Sequence, residues 1–253
     1  MTIISADQPH EIPPTTELTW KDWLDDAGPW PIVRMSLQRL VVLAAHPDDE
    51  VLGAGGLMAS AAAAGVDVVS VCMSDGSGSH AGSHTLSPEQ LSSRRHIELD
   101  TATSMLGLRR PRWCGLPHGS LAAHPTAMAG IVEAVLDEAP GLSTGLLSVW
   151  CDDGPGDHEA VGRCAQQIAR RHGMPLWMYP IHMWHWARPG EVSVPWERMQ
   201  IHRLDPAVLL VKRAAVRSFA TQIRPLSAVP EDRAALDADV LAHLLRPTEF
   251  VFA

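Results

Sequence analysis

Apolar and polar positions fall in blocks along this chain whose lengths suit strands and helices by turns. An apolar run over residues 40–45, rich in Val and Leu, has strand length and no polar face, which predicts a strand buried on both sides. Pro47 forbids its smooth continuation in a ladder. Residues 48–64 predict a helix, with Asp48, Asp49 and Glu50 in a first turn suited to the positive end of the dipole and Gly65 closing it. Residues 66–73 are apolar again, so strand, helix and strand follow with a short link, as in a βαβ unit. Residues 86–106 predict the next helix, with Ser87 as cap, Pro88 at the first position and Glu89 and Gln90 following. A short strand over 112–117, a helix over 125–138, a strand over 145–151 and a helix reaching 171 continue the alternation. A fifth strand leads into an aromatic segment over 177–187, a further strand covers 199–205, and a helix opened by Pro206 runs to 222. The tail ending Glu249-Phe250-Val251-Phe252 is expected to pack on the domain. This alternation predicts an α/β fold, a doubly wound and mostly parallel sheet in one domain.

Ahead of the first strand the pattern differs. Residues 1–18 are polar and Pro-rich, with Pro9, Pro13 and Pro14, and predict an arm that is poorly ordered or wrapped on the surface. Trp20, Trp23, Leu24 and Trp30 form an apolar stripe among acidic residues, as in a short helix docked on the main body. The expected organisation is an amino-terminal arm and helix over 1–38 and a main domain over 39–253.

Composition narrows the partners. With 253 residues, 46% of them hydrophobic and 19% charged, the chain can build one substantial α/β domain. A net charge of -9 and a pI near 5.8 argue against a nucleic-acid surface or a basic membrane-binding face and suit an uncharged or cationic small molecule. No stretch approaches the roughly 18 apolar residues that span a bilayer, and the amino terminus lacks a basic region followed by an apolar core. The expectation is a cytoplasmic enzyme with a small-molecule substrate, its self-association left open. Cys72, Cys114, Cys151 and Cys164 contain no C-x-x-C pair and read as buried thiols.

The chemistry concentrates where the first strand ends. His46, Asp48 and Asp49 fall within four residues at its carboxyl end, offering a nitrogen ligand and an oxygen ligand for a divalent metal with a second carboxylate beside them. Glu50 reads equally well as a helix cap. Gly53-Ala54-Gly55-Gly56 is only superficially a dinucleotide fingerprint, because Met58 stands at its sixth position and the glycines follow the acidic cluster rather than the strand, so a nucleotide-dependent oxidoreductase has little support. The loop over 74–84, with His80 and His84, either handles substrate at the same sheet edge or is simply solvated.

Ala45-His46-Pro47-Asp48-Asp49-Glu50 resembles the signature of the PIG-L, or LmbE-like, deacetylases, zinc enzymes that remove acetyl groups from N-acetylglucosaminyl conjugates. The resemblance implies a Rossmann-like, LmbE-like sheet. It implies that His46 and Asp49 bind Zn2+, that Asp48 is the general base, and that His158, in the segment Asp152-Asp153-Gly154-Pro155-Gly156-Asp157-His158, completes the metal set. With the common 3-2-1-4-5 strand order, strands one and four are neighbours and the two half-sites converge. Three protein ligands leave a fourth position for water, and the implied reaction is hydrolysis of an N-acyl group, expected to be acetyl, from an N-acetylglucosamine-type amino-sugar conjugate. Asp157 is expected to accept a hydrogen bond from a ligand imidazole. Arg95 is similar to a family arginine that contacts substrate, or else pairs with Glu98 or Glu89. His118 stands at a substrate contact where the family commonly has Asp, and Lys212 with Thr221-Gln222 repeats a family-like pattern.

One departure matters. Pro155 and Gly156 replace the first two residues of the family's His-Pro-Asp-His segment, and Pro155 has neither a side-chain donor nor an N–H. Losing such a donor elsewhere costs about 10² to 10³ in rate. Either His185, or failing it His182, supplies the acid while Trp184 or Trp186 stacks on sugar or aglycone, or this segment is a Trp-rich core with satisfied histidines. In the second case the chain is a zinc-binding pseudoenzyme or ligand-binding relative with weak activity.

Overall fold

A computed structural model describes residues 15–253; the arm expected over residues 1–18 lies outside the described residues up to 14. From Thr16 the chain is already helical in intent, since its hydroxyl caps α1 (Glu17–Asp26) by accepting from the Thr19 N–H. The Trp stripe docks this helix. Trp20 is fully buried with its indole N–H on the Trp184 carbonyl (2.9 Å), and Trp23 meets Trp196 edge to face at 4.6 Å.

β1 (Arg39–Ala44) is buried at every position, which explains its lack of alternation: it lies at the centre of the sheet with parallel neighbours on both sides. Then come α2 (Asp49–Ala63), β2 (Asp67–Ser74) and α3 (Pro88–Met105), whose Ser87 and Gln90 form a complete capping box. β3 (Arg112–Leu116), α4 (Pro125–Asp137), β4 (Thr144–Val149), α5 (Gly156–His172) and β5 (Leu176–Tyr179) follow. Gly173, at φ 64°, ends α5 in the left-handed conformation that glycine takes without strain. The last third holds α6 (Met183–Trp186), β6 (Met199–Arg203), α7 (Pro206–Val216), α8 (Ala220–Ile223), α9 (Ala238–Leu244) and β7 (Thr248–Phe252).

The described strands form one seven-stranded sheet in the order β3-β2-β1-β4-β5-β7-β6. β1 to β5 are parallel in the expected 3-2-1-4-5 order. α2, α3 and α7 pack on one face and α4 and α5 on the other, giving the doubly wound arrangement. Two expectations change. The tail does not merely pack on the domain: it enters the sheet as β7, antiparallel between β5 and β6. The helix expected over 206–222 breaks at Arg217–Phe219 into α7 and α8.

The glycines of α2 serve packing. A Cβ at Gly53 would lie 2.2 Å from the Tyr179 ring and one at Gly56 would lie 2.3 Å from Leu204, so helix, strand and loop meet where no side chain fits.

Candidate active site

The order reverses between β1 and β4, and their carboxyl ends open one crevice. His46 lies just beyond β1, Asp49 opens α2, and His158 lies in the first turn of α5. His46 Nδ1, Asp49 Oδ2 and His158 Nε2 converge, with one ligand atom from each residue within 4.8 Å of the others. His158 Nε2 is 3.3 Å from His46 Nδ1 and 3.4 Å from Asp49 Oδ2. Asp49 is held in place by the His46 backbone N–H, which donates to its Oδ2 at 2.8 Å.

The far side of each imidazole is committed. His46 Nε2 donates to Asp157 Oδ2 (3.1 Å), and that carboxylate also accepts from the N–H groups of Gly119 (2.7 Å) and Leu121 (2.9 Å). His158 Nδ1 donates to Asp153 Oδ2 (2.9 Å), and Asp153 accepts as well from the N–H groups of Ile181, His182 and Met183. With those nitrogens bonded outward, the two inner nitrogens face each other beside a carboxylate oxygen, and each presents a lone pair when its imidazole is neutral. Three ligand atoms converging there, on the buried Asp49 and His158 and the partly exposed His46, fit a cation.

Burial opposes a charge on His158, but Asp49 and Asp153 outweigh it and raise its pKa to about 9. Burial raises Asp49 to about 6 against the pull of His158, and burial pushes His46 well below its ordinary value despite Asp157. Without a metal the positive charge rests on His158, between Asp49 and Asp153.

Several expectations need correction. Arg95 pairs with neither Glu98 nor Glu89: it is 2% exposed, with Nη2 donating to Asp48 Oδ1 (3.1 Å) and Nη1 to the Gly76 carbonyl (2.9 Å). Glu98 instead accepts from Thr221. Glu50 caps nothing; it accepts from the Ser70 hydroxyl (2.8 Å), and burial pushes its carboxyl up to about 8, neutral at pH 7. Trp184 is 2% exposed, edge to face with Trp20 at 5.1 Å and covered by the Arg246 guanidinium at 4.2 Å, so it belongs to the core and cannot stack on a ligand. Trp186 is the half-buried one, its indole N–H donating to the Asp153 carbonyl (2.8 Å) next to Gly154.

The two candidate acids separate. The His182 ring lies 5.0 Å from that of His158, whereas His185 is a ring further out, 6.2 Å from His182 and 5.4 Å from His243. Burial pushes both down to about 4. His118 stacks on His46 at 4.2 Å, and Gly78 makes room for it, since a Cβ there would lie 2.4 Å from the ring. His80 is structural, bonded to Ser79 and to the Arg233 carbonyl, while His84 is exposed on the same loop. The four thiols are free, with Cys72, Cys151 and Cys164 buried and Cys114 half-buried. Asp153 carried no sequence-based assignment; the one signal for it was an acid at the end of a buried strand, as at Asp48 and Asp49.

Residues 41–169, a little over half of the chain, match the family described as PIG-L: GlcNAc-PI de-N-acetylase. A 1D-myo-inositol 2-acetamido-2-deoxy-alpha-D-glucopyranoside deacetylase of Corynebacterium diphtheriae is 26% identical over 223 residues, covering 73% of this chain and 76% of that one. An enzyme of the same name from Rhodococcus opacus is 35% identical over 130 residues, 42% and 44% of the two chains. Among solved structures, the zinc inhibited form of teicoplanin deacetylase Orf2 superposes with a TM-score of 0.61 at 17% identity, covering 73% of this chain and 85% of that one. With the crevice, its convergent donors and these matches together, the chain belongs to the PIG-L, GlcNAc-PI de-N-acetylase, family.

Proposed function

We propose that the chain is a zinc-dependent N-deacetylase acting on an N-acetylglucosamine-type conjugate. The observation that carries this is the set of three convergent ligand atoms from two sheet-end segments, each imidazole oriented by its own carboxylate. His46, Asp49 and His158 hold the metal. Zinc, when bound, supplies a Lewis acid for the amide carbonyl and makes water acidic enough to be a nucleophile near neutral pH. Asp48 is the base: Arg95 holds its Oδ1, and Oδ2 takes the proton. Asp157 and Asp153 keep each imidazole in the tautomer that presents its lone pair. Pro155 cannot donate to the developing oxyanion or the leaving amine, and His182, the outer imidazole nearest the ligands, takes that part in place of His185. His118 and Trp186 line the rim and meet the sugar or aglycone. The relatives' names identify acetamido sugars as their substrates, which supports an amino-sugar conjugate here. No helix among the described residues is long and apolar enough to cross a membrane; a cytoplasmic location is part of the proposal.

Pro155 favours a second reading, a metal-binding relative with little turnover. Acetate release from a panel of N-acetylglucosaminyl conjugates, before and after chelation, separates the two. Deacetylation that stops on chelation and returns with zinc is the expected result; full metal uptake with no acetate from any conjugate contradicts it and selects the second reading.

A further inference from the structure

Helix α2 is broken, and the groups that bridge the break come from the far end of the chain. Ala54 leaves helical geometry at φ −143° and ψ 15°. In an unbroken helix the Gly56 N–H would donate to the Leu52 carbonyl. Here Gly56 N–H donates to Glu249 Oε1 (2.8 Å) and Leu57 N–H to Oε2 (2.7 Å). Lys212 Nζ donates both to the Leu52 carbonyl and to Glu249 Oε1, each at 2.7 Å. Lys212 is fully buried and Glu249 is 4% exposed. A cation therefore sits on a carbonyl near the end of the short first segment and a carboxylate on N–H groups at the start of the second. Each is the charge that its helix end favours.

We propose that the buried Lys212–Glu249 pair positions the metal half-site: by bridging the missing rung of α2 it fixes the direction of the turn that carries Asp48 and Asp49. The proposal rests on the reading of His46, Asp49 and His158 as metal ligands. His46 follows the end of β1 and His158 lies in the first turn of α5, whereas Asp49 belongs to the segment ahead of Ala54. A tilt about that break shifts Asp49 Oδ2 relative to His158 Nε2, now 3.4 Å away, and strains its 2.8 Å bond from the His46 N–H, while α5 and His158 stay in place. Lys212 and Glu249 touch no reacting atom, so they are positioning residues.

The test compares the parent chain, Lys212→Met and, as a control cavity variant on α4, Val132→Ala. Three quantities are read: backbone hydrogen exchange over residues 48–57 in the metal-free protein, zinc affinity by chelator competition, and the visible spectrum of the cobalt-loaded protein. Lys212→Met is expected to speed exchange over 48–57 about tenfold, weaken zinc by roughly 10- to 100-fold and shift the cobalt bands. Val132→Ala is expected to lower Tm while leaving all three unmoved. If Lys212→Met does not fold, because Glu249 is left buried without its partner, Lys212→Met with Glu249→Gln is read in the same way. A folded variant with parental exchange, affinity and spectrum overturns the proposal. A parent chain that takes up neither zinc nor cobalt overturns the metal reading alone, and the exchange over 48–57 still decides whether the pair holds the turn.

Discussion

Asp153 shows what a single carboxylate does here. It is fully buried, orients His158 through Nδ1, and gathers three successive backbone N–H groups from residues 181–183. Replacing it with Asn keeps the shape but removes the charge that fixes the His158 tautomer. Metal affinity measured by chelator competition is expected to fall roughly 10- to 100-fold in Asp153→Asn; parental affinity would mean that His158 is oriented by something else. His182→Ala is the matching test of the missing donor. It should lower kcat by about 10² to 10³ with zinc content unchanged, while His185→Ala, one ring further out, should have little effect. A loss in His185→Ala with none in His182→Ala would return the role to His185. The residues that a short motif places side by side were legible from sequence: His46, Asp48 and Asp49 lie where a strand must stop. What Arg95 pairs with was not, because Asp48 is remote from it in the chain and only the fold brings the two within 3.1 Å.

Elements were legible wherever one run of sequence decides them. β1 announces itself by an unbroken apolar run, and α3 by its cap, and both appear where the pattern puts them. The break in α2 was not visible, since its bridging groups come from residues 212 and 249. β7 was missed for a related reason: five residues at the tail become a strand only because β5 and β6 leave a place between them. Gly53→Ala tests how tightly the elements fit. The added methyl meets the Tyr179 ring, whose hydroxyl is itself tied to the Leu43 carbonyl at 2.9 Å. A loss of about 1–3 kcal/mol in denaturant unfolding is expected, and a neutral result would show that Tyr179 can move aside.

At the scale of the molecule, α1 is fastened to the carboxyl-terminal third by Glu17, which accepts from His243 Nδ1 (2.7 Å), Arg246 Nε (2.8 Å) and Arg246 Nη2 (2.6 Å). Burial raises the Glu17 carboxyl, but the bonds to His243 and Arg246 prevail and hold it below its ordinary 4.5. A depressed carboxylate stabilises the fold fully above its unfolded pKa and loses that contribution as pH falls through the folded value. The Tm advantage of the parent over Glu17→Gln should therefore be present at pH 7 and shrink below about pH 4.5; an advantage that is constant across that range would contradict it. The doubly wound sheet was legible as a whole because its logic is local, one strand and one helix at a time. The crevice was legible only as far as two half-sites can be paired by topology, while its carboxylate supports depend on loops that no periodicity marks.

The central claim is that His46, Asp49 and His158 hold one metal that the reaction needs. Metal analysis of the parent and of His158→Ala, prepared side by side, tests it most directly. About one zinc per parent chain and close to none in the variant is the predicted result, and equal metal content in the two proteins, or none in the parent, would contradict it.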